Sequence, residues 1–161
     1  DSSGVGYHPH ALKAAGDITI QSGTVNITGG SVYYASTRSY AMYAKNIVIT
    51  GGKVTVAAGP GNGVQSSSYG IYAENDIQIT GGETVATFAD CGGNGAVVAG
   101  FYAGNAMTVT DAVVTTYGSV NTSNQLKNYG VYAGSDLTVT NSTLSASCGN
   151  GTALQMTCHG G

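Results

Sequence analysis

The chain is predicted to be all-β, a single-stranded right-handed parallel β-helix with three short strands per coil. Two observations lead there. A phrase ending in alanine recurs at Ala14 ("ALKA"), Ala44 ("AMYA"), Ala73 ("GIYA"), Ala103 ("GFYA") and Ala133 ("GVYA"), at intervals of 30, 29, 30 and 30 residues. Self-similarity at such a period marks a solenoid, propeller or array. Each repeat also holds three apolar-alternating runs of four to six residues bounded by Gly, Asn or Asp, and no stretch sustains a helical period. A propeller blade needs four antiparallel strands, and a leucine-rich repeat needs its Leu and Asn pattern, so the β-helix fits best.

Within a repeat the first run is "GIYA", with Ile71 and Ala73 inward and Tyr72 outward. The second is "DIQIT", where Ile77 and Ile79 share the inner face; Ile18/Ile20, Ile47/Ile49, Met107/Val109 and Leu137/Val139 match them. The third pairs Val54 with Val56, and likewise Val25/Ile27, Val114/Thr116 and Leu144/Ala146. Between the first and second runs stand Gly16, Asn46, Asn75, Asn105 and Ser135, residues suited to a tight or side-chain-bonded bend, and stacked Asn amides are expected to bond between coils. The "GG" pairs at Gly51–Gly52 and Gly81–Gly82 turn the chain into the third run. The repeats fall near residues 11–40, 41–69, 70–99, 100–129 and 130–152, with a partial copy at 153–161, which makes one domain over residues 1–161 of about five to six coils.

Composition bounds the function. Charged residues are only 8% of the chain, the net charge is −3, and the five basic residues are scattered, so no electrostatic footprint for nucleic acid is expected. No apolar run is long enough for a membrane span, and no signal segment is present. The chain begins at Asp1 without Met and is expected to be a piece of a longer protein. Nothing in "TALQMTCHGG" looks like a cap for the last coil, so self-association, end to end or side by side, is a further expectation. Cys91 and Cys148 occupy like positions two coils apart, roughly 10 Å and too far for a bridge. A Cys148–Cys158 bridge would join different corners, so mostly free thiols are expected.

The tyrosines are the residues that fold grammar does not absorb. Tyr43, Tyr72, Tyr102 and Tyr132 point outward and should form a column roughly 5 Å per step, flanked by Lys13 below and Gln155 above. A second set, Tyr40, Tyr69 and Tyr129, lies three residues earlier and is broken by Ala99. A stacked ladder that merely stabilises the coils is one reading. The other is a platform for sugar rings, with Tyr43, Tyr72, Tyr102, Tyr132, Tyr69 and Tyr129 as the carbohydrate-binding residues.

The repeats "ALKAAGDITIQSGTVNIT" (residues 11–28), "GIYAENDIQITGG" and "GVYAGSDLTVTNSTL" resemble the secreted right-handed β-helix carbohydrate-binding proteins of clostridia and related gut bacteria. That resemblance covers nearly the whole chain. It implies a secreted or cell-surface location, an acidic or neutral plant polysaccharide as partner, and calcium as an accessory ion. In that family an Asp often precedes the Gly-Ile/Leu-x-Ala phrase; here those positions hold His10, Tyr40, Tyr69, Ala99, Tyr129 and Thr152, so no calcium ligand is carried over.

Catalysis is not expected. The acids Asp17, Asp76 and Asp136 share a corner on alternate coils, roughly 10 Å apart and too far to work as a pair on one bond or one ion. His8, His10 and His159 lie at the chain ends, away from any nucleophile in mid-chain. "YHPH" supplies two metal ligands at most, short of a closed site, and reads better as an irregular segment over the first coil. Outward Thr19/Gln21, Val48/Thr50, Gln78/Thr80, Thr108/Thr110 and Thr138/Thr140 resemble an ice-binding threonine array interrupted at Val48 and Gln78. A non-catalytic polysaccharide-binding module is therefore the leading expectation, and a structural module of a bacterial surface protein or adhesin, with its tyrosines covered by the long loops, is the alternative.

Overall fold

A computed structural model describes residues 8–61, 63–89, 91, 97–118 and 127–148, together with the backbone of residues 152–156. Among these residues every regular element is a strand. The strands stack in parallel as three sheets. The first holds β1 (His10–Lys13), β4 (Arg38–Ala44), β7 (Ser67–Ala73), β10 (Val97–Ala103), β13 (Lys127–Ala133) and β16 (Thr152–Met156). The second holds β2 (Ile18–Ile20), β5 (Ile47–Ile49), β8 (Ile77–Ile79), β11 (Met107–Thr110) and β14 (Leu137–Thr140). The third holds β3 (Thr24–Thr28), β6 (Lys53–Ala57), β9 (Glu83–Phe88), β12 (Val113–Gly118) and β15 (Thr143–Ala146). Each strand pairs with its equivalent one repeat away, which is a parallel β-solenoid.

The core follows the alternation. Ala44, Ala73, Ala103 and Ala133 pair in register and are fully buried, as are Ile47, Ile49, Ile79, Val54, Val56 and Val109. Burying an isoleucine completely contributes roughly 1.5–3 kcal/mol, so the middle coils carry most of the stability. The stack amounts to about four turns, fewer than the five to six coils expected. Among the described residues the end coils have a neighbour on one side only: β1 and β14 are largely exposed along their length, and Ala14 and Leu137, expected inside, are only partly buried.

The turn into the third run holds the expected glycines in its first coils and is rebuilt in the later ones. Gly23, Gly52 and Gly82 adopt φ of +88°, +85° and +74°, and a Cβ on Gly52 would stand 2.4 Å from the carbonyl oxygen of Gly23. In the next two coils Ala112 and Ser142 take that place, and the left-handed residue moves one position back to Asp111 and Asn141. Asp and Asn tolerate that conformation, and Asn141 Nδ2 donates to Asp111 Oδ1.

At the other corner, Ala44 and Ile47 are separated by two residues whereas Ala73 and Ile77 are separated by three, which produces the single 29-residue interval. Asn75 joins the corner through its backbone only, bonding Lys45 and Asn105. The side-chain ladder runs instead through Asp17, Asn46, Asp76, Asn105 and Ser135. Asn46 Nδ2 donates to Asp17 Oδ1 at 2.8 Å, and the Asp76 amide donates to Asn46 Oδ1 at 3.3 Å. Asn105 Nδ2 donates to Asp76 Oδ1 at 2.7 Å, and Ser135 Oγ donates to Asn105 Oδ1 at 3.1 Å.

The first sheet bends within each strand. Tyr40 and Tyr43 both lie outside, yet they are three positions apart, which a straight strand forbids. The extra residue is Ala41, Gly70, Gly100 or Gly130, and the pairing register steps over it. Before the bend, Ser39 and Ser68 turn inward and donate to Gly30 and Gly59 carbonyls at 2.6 and 2.9 Å, which ties the long loops down. Ala58, Phe88, Cys91 and Val98 form a second small core there, with Cys148 packed against it. Cys148 carries a free thiol, as expected; Cys158 lies outside the described residues.

Candidate functional site

The bend gathers the aromatic residues of the first sheet into a slab two rows deep. In the outer row, Tyr43, Tyr72, Tyr102 and Tyr132 stack with ring centroids 5.4, 4.9 and 4.4 Å apart and planes within 10°. In the inner row, His10, Tyr40 and Tyr69 stack at 5.0 and 5.2 Å. The rows meet edge to face, Tyr72 lying 5.1 Å from Tyr40 and 5.0 Å from Tyr69. The ring-to-ring spacing therefore follows the strand spacing, and the quadrupoles pack as offset-stacked and T-shaped pairs.

This geometry decides what the slab presents. Tyr72 has a ring on each face, Tyr102 likewise, and Tyr43 has Tyr72 on one face and the Lys13 ammonium at 5.3 Å from its centroid. No sugar can lie flat on an interior ring. The solvent meets ring edges and phenolic oxygens instead. The outer-row tyrosines are half-buried; Tyr69, expected as a binding residue, is only 5% exposed and serves as a floor beneath them. Tyr129 is partly buried and lies 5.2 Å from Tyr132. Ala99 interrupts the inner row and is fully buried, with Tyr102 reaching across to Tyr69 at 5.4 Å.

Burial and neighbours hold the protons on five of the slab phenols, Tyr43, Tyr69, Tyr72, Tyr102 and Tyr129. Tyr43 donates its proton to Glu74 Oε1, and this bond, with burial adding to it, lifts its pKa to about 12. Tyr102 is raised to about 12 by burial and then by the Tyr132 phenol beside it. Burial also raises Tyr69, Tyr72 and Tyr129. Four of the five basic residues border this sheet: Lys13, Arg38 and Lys127 on its strands and Lys45 on the turn after β4. The fifth, Lys53, pairs with Glu83 at 3.1 Å on the third sheet.

The two described histidines, His8 and His10, are occupied by the fold. His8 Nδ1 accepts the Arg38 amide at 2.9 Å, and His10 is the lowest rung of the inner row rather than part of an irregular covering segment. Burial, then Lys13, lowers the His10 pKa, so its ring stays neutral against Tyr40. The calcium implied by resemblance does not fit the residues present: the positions in question hold an imidazole, phenols and an alanine packed on one another. Among the described residues no three His, Cys, Asp or Glu side chains converge. The outward threonines of the second sheet are broken at two successive rungs, Thr19 facing Val48, Val48 facing Gln78, and Gln78 facing Thr108.

Sequence reading missed three features. His10 as a rung was hidden because it is not a tyrosine, although it precedes "ALKA" where Tyr40 precedes "AMYA". Asp76 in the corner ladder was hidden by the one-residue length difference. The third is a repeated loop: Ser36 and Gln65 both adopt φ of +58°, and Thr37 and Ser66 each donate to the carbonyl three residues back at 2.6 Å. Unlike residues in a common conformation leave no sequence pattern. No family model, curated protein or solved structure matches the chain.

Proposed function

We propose that the domain is a non-catalytic polysaccharide-binding β-solenoid module of a secreted or cell-surface protein, and that it meets its glycan along the solvent edge of the Tyr43–Tyr72–Tyr102–Tyr132 row. One observation carries this reading: a partly accessible file of phenols at steps of 4.4 to 5.4 Å, bordered by Lys13, Arg38, Lys45 and Lys127. A glycan laid along it meets a hydroxyl-bearing edge at each coil, and single contacts of this kind are weak, so affinity should be about micromolar to millimolar and spread along the row. The raised pKa values of Tyr43, Tyr72 and Tyr102 keep these three phenols protonated through neutral and mildly alkaline pH. The likeness of the repeats to β-helix carbohydrate-binding proteins supports the same reading. Asp17 and Asp76 are engaged in the corner ladder and Glu74 in the Tyr43 bond, which favours a binding role over acid–base chemistry.

A structural surface or adhesin module is the second reading, favoured by the closed ring faces, since a ladder that spends its faces on itself stabilises the stack without any ligand. A glycan array with the purified domain separates the two. Concentration-dependent retention on a polysaccharide is expected. A folded domain retained by no glycan would leave the structural reading.

A further inference from the structure

The loop that joins β3 to β4 holds two adjacent tyrosines, and they differ from the slab in having free faces. Tyr33 is 69% and Tyr34 68% exposed, and among the described residues neither ring is paired with another aromatic ring. Val64, in the loop stacked above, is 61% exposed, and its carbonyl accepts the Ser36 amide. Tyr33 and Tyr34 are the two most exposed of the large apolar side chains among the described residues, ahead of Val64 at 61% and Tyr117 at 53%, and adjacent rings left in water mark a contact surface.

The frame beneath them is fixed. Val32 N donates to the Pro60 carbonyl at 2.9 Å, Ser36 N to the Val64 carbonyl at 2.8 Å, and Thr37 Oγ1 to the Tyr34 carbonyl at 2.6 Å. Val32 bridges Gly61 in parallel, and the two loops pack so tightly that a Cβ on Gly63 would stand 2.1 Å from the Tyr34 carbonyl oxygen. Only two side-chain torsions per tyrosine remain to be ordered on binding, which is a small entropy cost for a large contact area. Residues 29–37 and 58–66 contain no charged side chain, so the two loops themselves carry no counter-ion for an acidic ligand.

We infer that Tyr33 and Tyr34 form a face-stacking subsite for neutral β-linked pyranose rings. Equatorial hydroxyls leave the two faces of such a ring as C–H surfaces, which lie flat on a phenol ring, while the rim hydroxyls reach the phenolic oxygens and the loop carbonyls. The subsite rests on the carbohydrate-binding reading and supplies what the interior of the slab lacks, because both faces of Tyr72 and of Tyr102 are covered by neighbouring rings. Arg38 opens β4 four residues after Tyr34, so the loop leads directly into the tyrosine sheet.

The chain contains no tryptophan, so Tyr34→Trp places a single indole in the subsite. The probes are the β-1,4-linked hexasaccharides of glucose, xylose and mannose and the polymers they derive from. Emission of the Y34W protein should shift to the blue and saturate with at least one hexasaccharide, and Y33A/Y34A should weaken retention on the matching polymer about tenfold or more. The melting temperature of Y33A/Y34A should stay within a few degrees of wild type, since both side chains are exposed. Unchanged retention of Y33A/Y34A on a neutral polymer that holds the wild type, with Y34W emission indifferent to its hexasaccharide, overturns the subsite and leaves the slab as the binding site. Retention of the wild type by acidic polymers only also overturns it. Retention by no glycan removes the carbohydrate-binding reading, and the subsite with it.

Discussion

The slab tyrosines and the loop tyrosines carry the same ring in opposite surroundings: Tyr72 lies between Tyr43 and Tyr102 at 5.4 and 4.9 Å, whereas Tyr34 is two-thirds exposed on a pinned loop. A tyrosine that repeats with the coil must meet its own copies, because strand spacing and favourable ring spacing are nearly equal. A tyrosine in a loop has no such copy, since position 63 in the loop above is glycine. Periodicity therefore consumes ring faces for cohesion, and interruption of periodicity frees them for contact.

The largest expected effect sharpens this contrast through stability. Y72A/Y102A removes six ring contacts around Tyr72 and Tyr102. At about 0.5–1.5 kcal/mol per aromatic pair it should cost roughly 3 kcal/mol or more, read as a lowered urea midpoint, while Y33A/Y34A should cost less than about 0.5 kcal/mol. Equal losses in the two variants would break the distinction.

Alkaline titration comes next. The Tyr43 and Tyr102 phenols are held near 12 in the fold against about 10 in an unfolded chain. A raised folded pKa on a group that ionises to an anion means that the unfolded state releases its proton first. The associated stability is therefore complete below pH 10 and is lost as pH rises toward 12. The melting temperature should fall across that window, and absorbance at 295 nm should show a late-ionising class. Y43F/Y102F should flatten the fall.

Much of the fold was legible because one 30-residue unit is written five times, so each inward position is attested by several residues, as with Ala73, Ala103 and Ala133. The candidate site was legible in part. Alternation tells which side a tyrosine leaves the strand, and so found the outer row. It cannot give the ring plane, which depends on the rotamer and on the neighbour one coil away. Nor could it show that Tyr69 lies beneath Tyr72, because the extra residue at Gly70 reverses the parity that alternation counts.

A smaller effect tests the corner ladder against the reading from sequence. Asp76→Ala removes the acceptor of both Asn105 Nδ2 and the Ala106 amide and should cost about 1–2 kcal/mol. Asn75→Ala leaves those bonds in place and should cost less than about 0.5 kcal/mol. The reverse order would return Asn75 to the ladder.

A variant that keeps every ring gives the most direct test of how the slab is used. Y72F/Y102F/Y132F deletes three phenolic oxygens and keeps every stacked ring, so the melting temperature should move by only a few degrees, about 1 kcal/mol or less per hydroxyl. Retention on the polysaccharide identified by the array should fall about tenfold or more if the row meets its ligand with hydroxyl edges. Undiminished retention by the folded triple variant would contradict the hydroxyl-edge contact and leave the column as cohesion alone.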